Sequence, residues 1–471
     1  MADKFNILHD LSPLLSPQAS IVLPGDIAFS NLTSRWREYR APNISVVVQV
    51  ATEVDVQQTV QYAAKHNIPF VARAGGHGAT EALGTASHAI QIDLRALNEV
   101  ILSTDGTTAT IGGGANVKHV VNTLELLGKR TVTGTCDCVG MSAPILGGGH
   151  GWLQGQYGLM ADQVVSARLV LPNGELITVS EKSEPDLFWA IRGAGHNFGI
   201  VTEWEYRVYD AKPKLSYEIF IYSGDKLEAL YSLANNMLKD QPPELMHWGY
   251  IIKVAELDPE HPILWFIIIY DGPTEAAREH TKPFHGIESI TVQSGEAALS
   301  ELSALTFQDE DGPGCAYGLT SLRYPIGLNS YNIAAVRKVY NEIDSTFRAV
   351  PEVAGSFFLL EGYSTQGVRA VDPATTAFPH RDDRIVVTSY IQYKPNPAID
   401  PVAQAFGKKL RQYLLDGSDD PAHLRAYVNY ANGDESLQEV YGWEGWRLER
   451  LRKLKKRWDP KNAMRYYVPI E

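Results

Sequence analysis

Two glycine-dense loops constrain this chain more than any other feature in it. The first, Val71 to Thr80, reads VARAGGHGAT; the second, residues 133–158, reads TGTCDCVGMSAPILGGGHGWLQGQYG. Loops so poor in side chains let backbone N–H groups approach a ligand closely, and adjacent N–H groups in such turns form concave anion sites suited to a diphosphate. A nucleotide cofactor is the natural occupant. Each loop also carries one potential covalent nucleophile, His77 in the first and Cys136 in the second. Singly the signals are weak, because a glycine cluster is most often a tight turn and a histidine between glycines most often a turn residue. Order and spacing give them weight. A Rossmann unit does not explain them: GAGHNFG at Gly193 to Gly199 lacks the GxGxxG spacing and follows a helical DLFWAIR run, where the dinucleotide fingerprint needs a strand.

At Arg73, Gly75, Gly76, His77, Gly134, Cys136, Val139, Gly140, Gly147, Gly148, Gly149 and Gly151 the chain resembles the berberine-bridge-enzyme-like branch of the vanillyl-alcohol-oxidase flavoproteins. Their pattern is R-x-G-G-H followed by G-x-C-x-x-V-G and a G-G-G-x-G turn. The likeness extends along most of the chain. TEVDVQQTVQYAAKHN reads as an amphipathic helix with apolar Val54, Val56, Val60 and Ala63, and the strand IPFVARA delivers the histidine loop. ADQVVSARLVLPNGELITV looks like a hairpin turning at Asn173-Gly174, and DLFWAIRGAGHNFGIVTEWEYRVY like a helix, a glycine loop and a closing strand. YVNY at Tyr427 to Tyr430 and the segment around YGWEGWRLERLRKLKKRWDPKNAM match the family's C terminus, whereas residues 211–350 match loosely.

A chain of 471 residues fits two domains, and its net charge of −13 offers no basic face for phosphodiester backbones, which argues against nucleic acid as a partner. The one basic run, RLERLRKLKKR, is interleaved with leucines at helical spacing and reads as a solvated helix face. The longest apolar run, ILWFIIIY, is too short for a membrane span and reads as a buried strand. An acidic N terminus without a long apolar stretch makes secretion by a signal peptide unexpected. Three cysteines, Cys136, Cys138 and Cys315, argue against a disulfide framework and lack zinc-ligand spacing, so the expectation is a cytoplasmic enzyme of a reducing compartment with no metal.

The expected architecture is α+β. A two-part FAD-binding domain of the vanillyl-alcohol-oxidase type would take residues 1–210 and, as a C-terminal return, 425–471; a substrate-binding domain at 211–424 would carry an antiparallel sheet backed by helices. Strand-like YEIFIYSG, MHWGYIIKVAEL, ILWFIIIYDG, GSFFLLEGYS and RIVVTSYIQY alternate there with helical KLEALYSLANNML and YNIAAVRKVYNEIDSTFRAV, and the sheet face is placed as a roof over the isoalloxazine.

The resemblance implies FAD attached covalently through an 8α-histidyl link to His77. A second link, from Cys136 to flavin carbon 6, stays open against a packed, unlinked thiol. Arg73, Ala74, Gly75, Gly76, Gly78, Thr135, Val139, Gly140, Ser142, Gly147, Gly148, Gly149, Gly151, Ile200, Val201, Tyr427 and Asn429 are the other expected cofactor contacts, with Asp162 and the NFGIVT run on the adenosine side, Asp162 reading almost as readily as a simple loop anchor. Val139 matches a position near the oxygen-reactive carbon where valine accompanies oxidases. Thr376 to Arg381, TAFPHR, matches a family turn that would place Gly367 to Val371 over the cofactor. Counted back from that turn, the glutamate of the plant alkaloid oxidases falls on Arg369 or Ala370, neither a useful base. Tyr427 is therefore the first candidate for proton removal; Glu361, Tyr363, Tyr390 and Gln392 are the other groups that could face the cavity, with Glu361 read rather as a solvent-facing strand residue.

The function implied is an oxidase that takes a hydride from a small aromatic, polyketide-like or alkaloid-like metabolite to flavin N5 and passes the electrons to O2, giving hydrogen peroxide. A carbohydrate oxidase, or a flavin-scaffold cyclase or binding protein without net redox change, are the alternatives. Oligomeric state is left open.

Overall fold

The computed structural model describes residues 7–212 and 214–471. The first layer is a four-stranded sheet in the order Ser20–Val22, Ile44–Gln49, Ala89–Asp93, Phe70–Arg73, and the last three strands run parallel. A parallel pair needs a crossover, which the helix Glu53–His66 supplies between Ile44–Gln49 and Phe70–Arg73. Its start is fixed by a capping box: the Thr52 hydroxyl accepts from the Asp55 N–H at 3.3 Å and the Asp55 carboxylate accepts from the Thr52 N–H at 2.8 Å. Val56, Val60 and Ala63 are buried as the periodicity requires; Val54 is not, at 50% exposure, because it lies off the buried stripe.

A second, antiparallel sheet is ordered Val100–Leu102, Thr108–Gly112, Ile200–Arg207, Val164–Val170, Leu176–Ser180. The hairpin expected at Asn173-Gly174 joins its last two strands, with Gly174 at φ +83° and its carbonyl accepting from Gln57 and Gln61 at 3.2 Å each.

The largest sheet has eight strands. Their order is Thr291–Ala297, Leu215–Tyr222, Ile263–Tyr270, Leu245–Ile252, Phe357–Gly362, Ile385–Tyr393, Thr320–Leu322, with Ile326–Leu328 also paired to Ile385–Tyr393, and all ladders are antiparallel. The helices Leu227–Lys239, Ile333–Ala349 and Asp400–Asp416 pack on one another, and the last lies against Ile385–Tyr393. Register sets which side chains share a face: Phe357 stands opposite Tyr390 and their rings stack at 4.4 Å, so by the two-residue period Glu361 shares that face.

The C-terminal segment packs back on the first half of the chain. The basic run lies in the helix Gly445–Trp458, but it is not wholly solvated: Arg447 and Lys455 are buried, and Lys455 Nζ donates to the Asn197 carbonyl at 2.9 Å while pairing with Asp459 at 2.8 Å. Among the described residues no helix is long and apolar enough to cross a membrane.

Candidate functional site

The strand Phe70–Arg73 ends in the first glycine loop, and the loop holding Cys136 to Gly140 lies directly against it. A Cβ at Gly75 would sit 2.6 Å from the Cys138 carbonyl oxygen and 2.8 Å from the Gly140 nitrogen, so only glycine permits this approach. Gly76, at φ +81°, turns the chain into His77. The cavity that opens here is lined by Arg73, Ala74, Gly75, Gly76, His77, Gly78, Thr135, Cys136, Val139, Gly140, Ser142, Ile200, Val201, Tyr427 and Asn429, with Tyr390 contributed by the large sheet.

His77 is enclosed between rings, Trp36 stacked at 5.7 Å and Tyr317 edge-on at 5.7 Å. Burial, reinforced by the Arg323 and Arg73 charges, lowers its pKa to about 3, so the imidazole is neutral. Its Nε2 is buried with no partner, as is Asn429 Oδ1. Buried polar atoms are normally satisfied, and a polar cofactor in the cavity would satisfy both. The site therefore fits a flavin on its own chemistry: a neutral imidazole nucleophile, side-chain-poor loops and unspent hydrogen-bonding groups.

The cysteines are not all unpaired. Cys138 and Cys315 form a disulfide with Cα atoms 6.0 Å apart across 177 residues, which ties the second loop to the turn Pro313–Cys315. The argument for a reducing compartment loses its cysteine support. Cys136 is free and buried, its Sγ 3.5 Å from each disulfide sulfur, and burial pushes its thiol up to about 12.

Several expected contacts lie elsewhere. Gly147, Gly148, Gly149 and Gly151 do not line the cavity; their missing side chains make room for Asn429, Phe378, Met160 and the Thr133 carbonyl respectively. Asp162 does not reach toward a cofactor, because both its oxygens accept from Arg381, at 2.7 and 3.0 Å. Asn197 of the NFGIVT run anchors the C terminus, donating to the Val468 carbonyl and accepting from the Ile470 N–H. Gln392 is off the cavity and donates to Ser321 at 3.3 Å; Tyr363 sits one layer back, stacked on His150 at 5.6 Å. Thr376 to Arg381 is a turn ahead of the strand Ile385–Tyr393. Gln366–Arg369 is a short helix, and Arg369 and Ala370 border a separate surface groove, with Arg369 paired to Asp382 at 3.2 Å. Neither Arg369 nor Ala370 lines the cavity beside His77, and the turn Pro373–Thr375 separates both from PHR.

The carboxylate that does stand behind the cavity wall is Glu361. It is fully buried rather than solvent-facing, and its two oxygens accept from the Tyr363 hydroxyl at 2.7 Å and the Tyr430 hydroxyl at 2.9 Å. Burial raises its pKa to about 7, against those two hydroxyls and Arg323. Tyr430 lines the cavity, so a proton taken there has a carboxylate behind it. Tyr427 also lines the cavity, but its hydroxyl accepts from Asn429 Nδ2 at 2.7 Å and the His150 N–H at 3.2 Å, and burial pushes it up to about 12. Tyr430 and Arg323 are what sequence reasoning missed; Glu361 is among the groups that could face the cavity, and its burial overturns only the solvent-facing reading. Tyr430 follows Asn429 in the YVNY element, and Glu361 is the lone acid of the apolar run FFLLEG; Arg323 carries no local signal.

Comparison with known proteins bears on the whole chain. The family described as FAD binding domain matches residues 44–180, and that described as Berberine and berberine like matches residues 426–471. The FAD-linked oxidoreductase chyH of Penicillium rubens is 40% identical over 469 residues, covering 98% of this chain and 93% of that protein. The FAD-linked oxidoreductase chry5 of Gibberella zeae is 39% identical over 478 residues, covering 98% of this chain and 94% of that protein. Among solved structures, Physcomitrella patens BBE-like 1 shares the fold at a TM-score of 0.83 and 21% identity over 98% of both chains. The xylooligosaccharide oxidase of Myceliophthora thermophila C1, solved with xylobiose, does so at 0.84 and 22% over 99% of both. With relatives aligned from end to end at such identity, the chain belongs to the berberine-bridge-enzyme-like FAD-linked oxidoreductases of the vanillyl-alcohol-oxidase flavoprotein family.

Proposed function

We propose that this enzyme is a covalent FAD-dependent oxidase of a small organic metabolite, aromatic or polyketide- or alkaloid-like, with O2 as acceptor and hydrogen peroxide as product. The observation that carries the reading is the Tyr430–Glu361 pair at the cavity wall, a phenol backed at 2.9 Å by a carboxylate with a pKa near 7. FAD, when bound, supplies the acceptor for a hydride and the route to O2. The protein's part is to take the substrate's proton on Tyr430 Oη as Tyr430 passes its own to Glu361, and to exclude water behind the large sheet. In this reading residues 1–210 and 425–471 hold the cofactor and 211–424 the substrate.

Anaerobic bleaching of the yellow protein on addition of vanillyl alcohol or other phenolic compounds, with none for glucose or xylobiose, is the expected result. Bleaching by the sugars alone would favour the carbohydrate reading, and no bleaching by either group a non-redox scaffold.

His77 is the attachment point because its imidazole is neutral and its Nε2 unspent. The flavin should therefore stay with acid-precipitated protein, and peptide mass spectrometry should find it on His77. In His77→Ala, acid-stable flavin remains only if Cys136 also forms a link; full release from wild type would overturn the covalent proposal. Val139 lines the cavity next to Gly75. Val139→Leu should slow reoxidation of reduced protein by O2 while anaerobic reduction stays near wild type, and equal stopped-flow reoxidation rates would remove Val139 from that role.

A further inference from the structure

Arg323 stands at the cavity wall, in the link between the strands Thr320–Leu322 and Ile326–Leu328. Three rings box its guanidinium: Tyr390 at 4.1 Å, Tyr430 at 4.3 Å and Trp36 at 4.7 Å from their centroids. One nitrogen, Nη2, donates to the Tyr390 hydroxyl at 2.5 Å, whereas Nε is buried with no partner. Among the described residues no carboxylate forms an ion pair with it. The nearby acid, Glu361, spends both oxygens on the tyrosine hydroxyls and acts on Arg323 only as a charge through space, without a contact.

A cation so enclosed is costly unless a negative charge meets it, and aromatic faces supply only part of that compensation. The other arginines of the cavity each spend one Nη away from it, Arg73 Nη1 on the Leu32 carbonyl and Arg35 Nη2 on Gln91 at 3.0 Å, although their Nε atoms, like that of Arg323, are buried with no partner. What sets Arg323 apart is its box of three rings, Tyr430 among them. The oxidised isoalloxazine ring carries no net charge to offer.

We propose that Arg323 is a specificity-determining residue that takes an anionic oxygen of the substrate, a carboxylate, phenolate or enolate. The inference rests on the oxidase reading above and narrows its substrate class to acidic or phenolic compounds. With the Tyr430 ring 4.3 Å from the guanidinium, a molecule held by Arg323 lies within reach of the proton-accepting hydroxyl.

The test is calorimetric titration of the full-length FAD-loaded protein with benzoate and, as its neutral isostere, benzamide. A charge-assisted bond to the guanidinium makes benzoate bind roughly tenfold to a hundredfold more tightly. Arg323→Met should abolish that preference and Arg323→Lys should keep part of it, since the charge survives and the fork does not. Should the methionine variant fail to fold, Arg323→Gln makes the same comparison. Equal binding of the two probes to wild type, or a benzoate preference that survives loss of the charge, overturns the inference. Calorimetry does not depend on the flavin colour, so failure of the oxidase reading, in the form of a protein no substrate bleaches, is seen separately.

Discussion

Tyr430→Phe is expected to slow anaerobic bleaching of the flavin by substrate roughly a hundredfold to ten-thousandfold, the usual worth of a positioned general base. Flavin content should not change, because phenylalanine keeps the ring between Arg323 and Tyr427 and removes only the oxygen. Tyr427→Phe should cost far less, since that hydroxyl accepts from Asn429 and from the His150 N–H and has no carboxylate behind it. The pH dependence follows from Glu361. Its carboxyl has a pKa near 7, and it can receive the Tyr430 proton only when ionised, so the bleaching rate should climb as pH rises through about 7 and level above it. Glu361→Gln should remove that limb. A wild-type rate flat from acid to alkaline pH, or a Tyr430→Phe protein as fast as wild type, would remove the pair from proton transfer.

Whether such a pair is legible in a sequence depends on how local its causes are. The capping box at Thr52, the Asn173-Gly174 turn and the buried strand Ile263–Tyr270 are set by neighbours in the chain, and each stands where its residues place it. Glu361 is different. The strand Phe357–Gly362 is buried on both faces between two others, so its apolar run hides the alternation that would show which way the acid points. Arg323 and the Cys138–Cys315 disulfide depend on contacts across the fold, the latter between residues 177 apart, and no spacing rule reaches that far. The glycines at 147–149 and 151 misled for the opposite reason: a glycine needed for close packing and one needed for a ligand read alike. The cavity lining is most legible in the run from Arg73 to Gly78, all six residues of which border it.

Asp162, read as either an adenosine-side residue or a loop anchor, forms a buried ion pair with Arg381, and its removal should have the largest effect on stability. It is 4% exposed and its partner Arg381 3%, and Arg381 also donates to the Val368 carbonyl and Thr376 Oγ1, so this one pair holds the PHR turn against the loop that opens the Val164–Val170 hairpin. Asp162→Ala leaves the guanidinium buried without its counter-charge, a loss of about 3–5 kcal/mol. Unfolding entropy is about 2.1 cal/mol/K per residue. Over 471 residues that is about 1 kcal/mol/K if the chain melts as one unit, so the midpoint should fall by roughly 3–5 °C. The exposed pair Lys453–Glu449, at 73% and 67% exposure, is the control: Glu449→Ala should leave the melting midpoint close to wild type, since water already solvates both charges. The double variant Asp162→Ala/Arg381→Ala should cost less than the sum of the two single changes, because removing the second partner also removes the stranded charge. If calorimetric melting finds Asp162→Ala no worse than Glu449→Ala, the ion pair is not what fastens the turn to the hairpin loop, and the hydrogen bonds from Arg381 to Val368 and Thr376 hold it unaided.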